Sequence, residues 1–190
     1  MATRRVEKFL EALQEAPGIA AVKSDADLAH ALESECAVLF FLYGTILNIP
    51  DLVRAAKERG KLALVHVDLV EGLAGRDIAM DFIAQNTLAD GVISTRPNLI
   101  RRAKELGLIS VQRFFLLDSI AYENVRRQSS SADVVDILPG TMPRVLERLS
   151  EQLRRPLIAS GLLADKQDVI AALGAGAVAV STTNEALWFI

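Results

Sequence analysis

The chain has 190 residues, 51% of them hydrophobic, and a formal net charge of −3. That is enough apolar material for one domain with a large core, and the acidic balance excludes a protein that grips nucleic acid over its whole surface. The most apolar run, 37–47, falls far short of the roughly 20 residues a membrane-spanning helix needs.

The opening stretch, MATRRVEKFLEALQE, interrupts its apolar positions with Glu7, Glu11 and Glu15, so it reads as an amphipathic helix and not a signal peptide. Strands are predicted at 19–22, 37–43, 62–68, 91–94, 109–114, 133–138, 156–160 and 177–181. Helices with recognisable ends lie between them. Asn48-Ile49-Pro50 opens one that stops near Gly60, and Arg96-Pro97 opens another that stops at Gly107, with proline where its missing N–H costs nothing. Asp165, with Asp168 three residues on, caps a later helix that Gly174 ends. Several strands are apolar on both faces, as expected where helices cover both sides of a parallel sheet. No linker or composition shift divides the chain, so 1–190 reads as a single domain. Cys36 has no partner for a disulfide and reads as a small buried hydrophobe, which fits a cytoplasmic location.

Eight strand–helix units predict an α/β fold, a compact TIM (β/α)₈ barrel. An open doubly wound sheet is the alternative, because barrels usually need about 200 residues or more. In a barrel, polar side chains at the C-terminal strand ends face the mouth, where ligands bind. His66 and Asp68 end the third predicted strand. The others end in Ser94-Thr95-Arg96, Gln112-Arg113, Asp136 before Leu138-Pro139-Gly140, Ser160 before Gly161, and Ser181 before Thr182. Ionisable groups at corresponding places on several strands point to a polar pocket, since an unpaired buried charge is costly. Gly161, Ser181 and Thr182, with Asn184 near the start of a terminal helix, are candidates for holding an anion: glycine admits close backbone approach, and free N–H groups favour negative charge. GAGAVA (174–179) follows a helix and precedes a strand, the reverse of a dinucleotide fingerprint. His30, His66 and Cys36 have no metal-ligand spacing, and there is no G-x-S-x-G elbow. No metal and no cofactor is expected.

KLALVHVDLVEGL, GVISTR, VQRFFLLDS, DILPG, PLIASGLL and ALGAGAVAVSTTNEALW occur in an order and spacing that resembles the glycerol-3-phosphate-responsive antiterminators, the glycerol uptake operon antiterminator regulatory proteins. The likeness runs from FFLYGTILNI to Trp188. Ser160 departs from it, standing where the family usually has the first glycine of A-G-G-[FL]. The resemblance implies a non-enzymatic barrel that senses glycerol 3-phosphate and, when liganded, binds the leader of messenger RNA for glycerol-utilisation genes, preventing premature termination. Matched motif by motif, it brings in His66, Asp68, Arg96, Arg113, Asp118, Pro139, Gly140, Ser160, Gly161, Ser181 and Thr182. Asp136 joins the ligand candidates from its strand position.

From residues alone, an enzyme acting on a small phosphorylated substrate, with acid–base chemistry from His66, Asp68 and Asp136, is the stronger reading. The resemblance reverses that order. Residues 96–113 carry Arg96, Arg101, Arg102, Lys104 and Arg113 against one acid, Glu105, so Arg101, Arg102 and Lys104 are the candidate RNA contacts. Tyr43, Tyr122 and Trp188 are the aromatics available for base stacking. A homo-oligomer is compatible with the sequence.

Overall fold

A computed structural model describes residues 2–189; Met1, at the head of the predicted amphipathic helix, lies outside them. Eight parallel strands close into a barrel in chain order: β1 (Gly18–Val22), β2 (Val38–Phe41), β3 (Leu62–His66), β4 (Gly91–Ser94), β5 (Ile109–Phe115), β6 (Val134–Leu138), β7 (Leu157–Ser160) and β8 (Ala179–Thr182), with β8 pairing back onto β1. The predicted TIM barrel is the fold. The helices are α1 (Ala2–Glu15), α2 (Asp25–Glu33), α3 (Ile49–Glu58), α4 (Ile78–Asn86), α5 (Pro97–Glu105), α6 (Ser119–Gln128), α7 (Pro143–Gln152) and α8 (Lys166–Gly174). Ser24, Asp118 and Asp165 cap α2, α6 and α8 by accepting first-turn N–H groups, while α3, α5 and α7 start at proline.

Strand alternation divides the core in two. Inward residues such as Ile19, Phe40, Leu64, Ile93 and Val111 fill the barrel, whereas Leu39, Val65, Val92 and Val135 face the helices. The barrel floor is closed by α1. Its Phe9 and Leu13 are fully buried among the inward residues, and it contacts both β2 and β5, three strands apart around the barrel.

Three expectations need correction. The eight helices are not eight strand–helix units, because α1 precedes β1 and β8 is followed only by a 3₁₀ turn, Glu185–Leu187. Asn184 caps that turn through Ala186 N–H and begins no helix. β2 stops at Phe41 and β3 at His66, so Asp68 lies on the 3₁₀ turn Val67–Leu69 and strand alternation does not set its direction.

Candidate functional site

At the C-terminal end of the barrel, Arg113, Ser160, Gly161, Ser181 and Thr182 line a cavity of about 370 Å³ with Leu162, Leu163, Thr183 and Asn184. Arg113 Nε donates to Asp136 at 2.7 Å across the β5–β6 register, where the two residues are direct partners. Ser160 Oγ donates to the other oxygen of Asp136. Asp136 is fully buried and Arg113 only 6% exposed. This pairing explains how the core tolerates a carboxylate: its charge is matched and its lone pairs are used. Ser160 thus takes a structural role in the cavity wall.

The Nη groups of Arg113 have no acceptor among the described residues, so the guanidinium retains donors on the cavity side of the pair. Backbone geometry supplies more. Gly161 and Leu162 are successive left-handed residues, φ +74° and +58°, and Leu162 is the one non-glycine residue in that region among the described residues. Such strain is held by the surrounding structure and concentrates at functional sites. The N–H groups of Leu162, Leu163 and Thr183 find no acceptor among the described residues, although Gly161 N–H donates to Ser181 O. Successive unpaired amides in a turn form an anion-binding concavity. Ser181 Oγ is also without a partner there, while Thr182 Oγ1 accepts Asn184 N–H.

His66 is buried under the same end of the barrel, and its Nδ1 has no hydrogen bond. Burial, reinforced by Arg113 and opposed by Asp68 and Asp136, lowers its pKa to about 4, so the ring is neutral at pH 7.

The other predicted residues lie outside the cavity, although Asp68 Oδ2 comes within 4.0 Å of His66 Nδ1. Asp68 accepts from Ser94 Oγ at 2.9 Å, Thr95 N at 2.7 Å and Thr95 Oγ1 at 3.0 Å, with Arg96 Nε 3.6 Å away. It ties the turn after β3 to the start of α5. The Arg96 guanidinium lies against Gly75, where a Cβ would sit only 1.4 Å from Nη1. Gln112 alternates to the helix side of β5 and is fully buried with both amide atoms unpaired, so Arg113 alone of that pair reaches the mouth. Asp118 caps α6, and Leu138-Pro139 is a cis peptide at the end of β6.

On α5, Arg102 is held by Asp81 at 2.6 Å and Glu105 at 3.0 Å, and Lys104 by Asp133 at 3.1 Å. Arg101 is exposed and makes no ion pair among the described residues. Trp188 is not an exposed stacking platform: it is 1% exposed, and its Nε1 donates to Thr182 O at 2.9 Å. That bond fixes the β8 loop from beneath, a role that chain position alone did not reveal. No group of His, Cys, Asp and Glu able to hold a metal occurs among the described residues, nor does a helix long and apolar enough to cross a membrane.

A TIM barrel with unpaired amides on its β7 and β8 loops belongs to the architecture that commonly binds phosphate at that position. Comparison with known proteins narrows the class. The family described as glycerol-3-phosphate responsive antiterminator matches residues 18–188, and the chain belongs to that family. It is 42% identical over 182 residues to the uncharacterised protein YgcP of Escherichia coli strain K12, covering 95% of each chain. The crystal structure of the glycerol uptake operon antiterminator regulatory protein from Listeria monocytogenes superposes with a TM-score of 0.86 at 33% identity, covering 91% of this chain and 95% of that one. A glycerol uptake operon antiterminator-related protein from Thermotoga maritima gives 0.80 at 33% identity, covering 90% and 96%.

Proposed function

We propose that the chain is a cytoplasmic regulator that binds glycerol 3-phosphate in the barrel mouth and, so liganded, binds a leader messenger RNA to prevent premature termination. The observation that carries the ligand reading is the set of unpaired donors around one cavity: the N–H groups of Leu162, Leu163 and Thr183, Ser181 Oγ and the Arg113 Nη groups. These receive the phosphate. The glycerol end lies toward His66, whose neutral ring offers an acceptor or a donor. Asp68 and Arg96 shape the neighbouring rim, and Thr182 and Ser160 hold the loop and the cavity wall. Family membership supports the regulatory half of the reading.

The lining of the cavity also favours a sensor over an enzyme. A general acid or base must come within hydrogen-bond reach of the reacting proton. No carboxylate or imidazole lines the phosphate cavity, and Asp136 is already occupied by Arg113 and Ser160. His66 at the glycerol end, its pKa lowered to about 4 chiefly by burial, is poorly matched to proton transfer near neutral pH.

Calorimetry against glycerol 3-phosphate, glycerol and inorganic phosphate tests the reading. Glycerol 3-phosphate is expected to bind more tightly than either fragment, and incubation with triose phosphates followed by NMR is expected to show no conversion. Absence of glycerol 3-phosphate binding, or turnover of a triose phosphate, would overturn it.

A further inference from the structure

Two arginine doublets lie at the end of the barrel opposite the mouth. Arg126-Arg127 end α6, and Arg154-Arg155 follow α7. Both pairs lie shortly before the strands β6 and β7, and therefore at the floor. Arg126, Arg154 and Arg155 line one cleft of about 520 Å³ together with Ser129 and Ser130. Arg155 Nη2 donates to Ser130 O at 3.0 Å, joining the two connections. Beyond the cleft the floor is of mixed charge: Lys104 reaches Ser131 O at 3.4 Å but is paired with Asp133, and Arg5 of α1, which reaches Gly107 O at 3.3 Å, shares its surroundings with Glu7 and Glu11.

Nearby carboxylates do not cancel this charge. Glu123 takes Arg126, and Asp133 takes Lys104. Arg127, Arg154 and Arg155 have no carboxylate partner among the described residues; Arg155 bonds only the Ser130 carbonyl. The helix C-termini offset only part of the excess, since each terminus carries about half a negative charge against two arginines. Neighbouring helices lie 8–10 Å apart, so the ends of α5, α6 and α7 span about 20 Å. A stacked strand rises about 3.4 Å per nucleotide, so at most about six phosphates, and fewer when the strand is extended, fall within that length. An extended polyanion matches such an arc; a single small anion would use only one point of it.

We propose that the cleft between the C-terminal ends of α6 and α7, lined by Arg126, Arg154 and Arg155 and with the exposed Arg127 next in the chain to Arg126, receives the sugar-phosphate backbone of RNA on the face opposite the ligand mouth. The proposal rests on the regulator reading above and deepens it. RNA and small ligand then occupy opposite ends of the barrel and bind together without competition.

The test begins with RNA enriched from a random pool on the full-length chain in the presence of glycerol 3-phosphate. Its affinity is then measured across a salt series for wild type and for the Arg127→Gln/Arg154→Gln variant. Both side chains are exposed and unpartnered, so the fold does not depend on them. The variant is expected to bind at least about tenfold more weakly, with the log–log salt slope shallower by about 1.4, two contacts at roughly 0.7 each for a single strand. Arg127→Glu/Arg154→Glu should weaken binding further, and circular dichroism melting of both variants should match wild type. Wild-type affinity and slope in both variants would overturn the cleft while leaving the regulator reading intact. If the wild-type chain enriches no RNA, the regulator reading fails and the cleft fails with it.

Discussion

Substitutions at Gly161 separate charge from strain at the mouth. Gly161 has φ +74°, and a Cβ there would approach Leu138 Cδ2 to 3.3 Å. A left-handed conformation costs an L-residue about 1–2 kcal/mol, and aspartate tolerates it better than alanine because its side chain can bond locally. The Leu138 contact is with a side-chain end that can turn aside. Strain alone therefore predicts that Gly161→Ala destabilises by about 1–2 kcal/mol, lowering Tm by roughly 2–8 °C, and that Gly161→Asp does no worse. Charge predicts a different order for ligand affinity. A carboxylate about 4 Å from the phosphate costs about 4 kcal/mol per unit charge at an effective dielectric of 20, close to a thousandfold in Kd. Calorimetry with glycerol 3-phosphate should find the alanine variant within about tenfold of wild type and the aspartate variant beyond detection. Equal affinities in two folded variants would refute the placement of the phosphate beside Gly161.

Phe9→Ala should cost about 3–5 kcal/mol in urea unfolding because it empties the plugged floor; a loss below about 1 kcal/mol would show that α1 is not part of the core. Asp68→Ala should cost about 1–3 kcal/mol by stranding the Thr95 N–H and the Ser94 hydroxyl, and an unchanged melting temperature would rule out Asp68 as the tie between the β3 turn and α5. The folded His66 pKa of about 4 lies below the ordinary 6.5, so the unfolded chain takes up a proton between those values that the folded chain refuses. Stability is therefore full above about pH 6.5 and falls as pH drops toward 4, by about 3 kcal/mol for this group. Denaturation at about pH 7 and about pH 4.5 should show that His66→Gln removes this component, and an identical pH dependence in the variant would refute it.

What could be read from the chain followed from local chemistry. The starts of α3 and α5 are marked by proline, the start of α8 by the Asp165 cap, and the strands by short apolar runs, so the barrel was legible. The role of α1 was not, because an amphipathic pattern shows which face is apolar but not what it covers; Phe9 and Leu13 turn out to seal the floor. Among the site residues, Arg113, Ser160, Gly161, Ser181 and Thr182 do meet at one cavity. The left-handed Leu162 was invisible, since nothing in its residue type requires that conformation. Arg102 and Lys104 looked like free cations because their partners, Asp81 and Asp133, belong to other elements. The sequence did carry one unused signal: the doublets Arg126-Arg127 and Arg154-Arg155 each sit just ahead of a strand, which in a parallel barrel places both at one end.

If the mouth receives a phosphate and the floor receives RNA, α5 is the element that spans the two. It runs about 13 Å for its nine residues. At its mouth end, Arg96 N–H donates to Ser94 Oγ, while the Arg96 guanidinium rests against Gly75 and 3.6 Å from Asp68. That guanidinium makes no hydrogen bond among the described residues, so it is a loosely held rim cation within the field of a dianion entering the cavity. At its floor end, Lys104 touches Ser131, beside the arginine cleft. Arg102 pins the middle of the helix to Asp81 of α4, so a shift at the first turn moves the helix as one piece. Arg96→Ala should therefore leave RNA affinity without ligand near its wild-type value, while ligand affinity without RNA falls by the attraction of one rim cation. Allosteric coupling typically changes affinity about 5- to 150-fold, and linkage requires the same factor in both directions. In the wild type, glycerol 3-phosphate should raise RNA affinity by a factor in that range, and RNA should raise glycerol 3-phosphate affinity equally. In Arg96→Ala both factors should fall toward one, and an undiminished factor would show that the signal does not pass through Arg96 and α5.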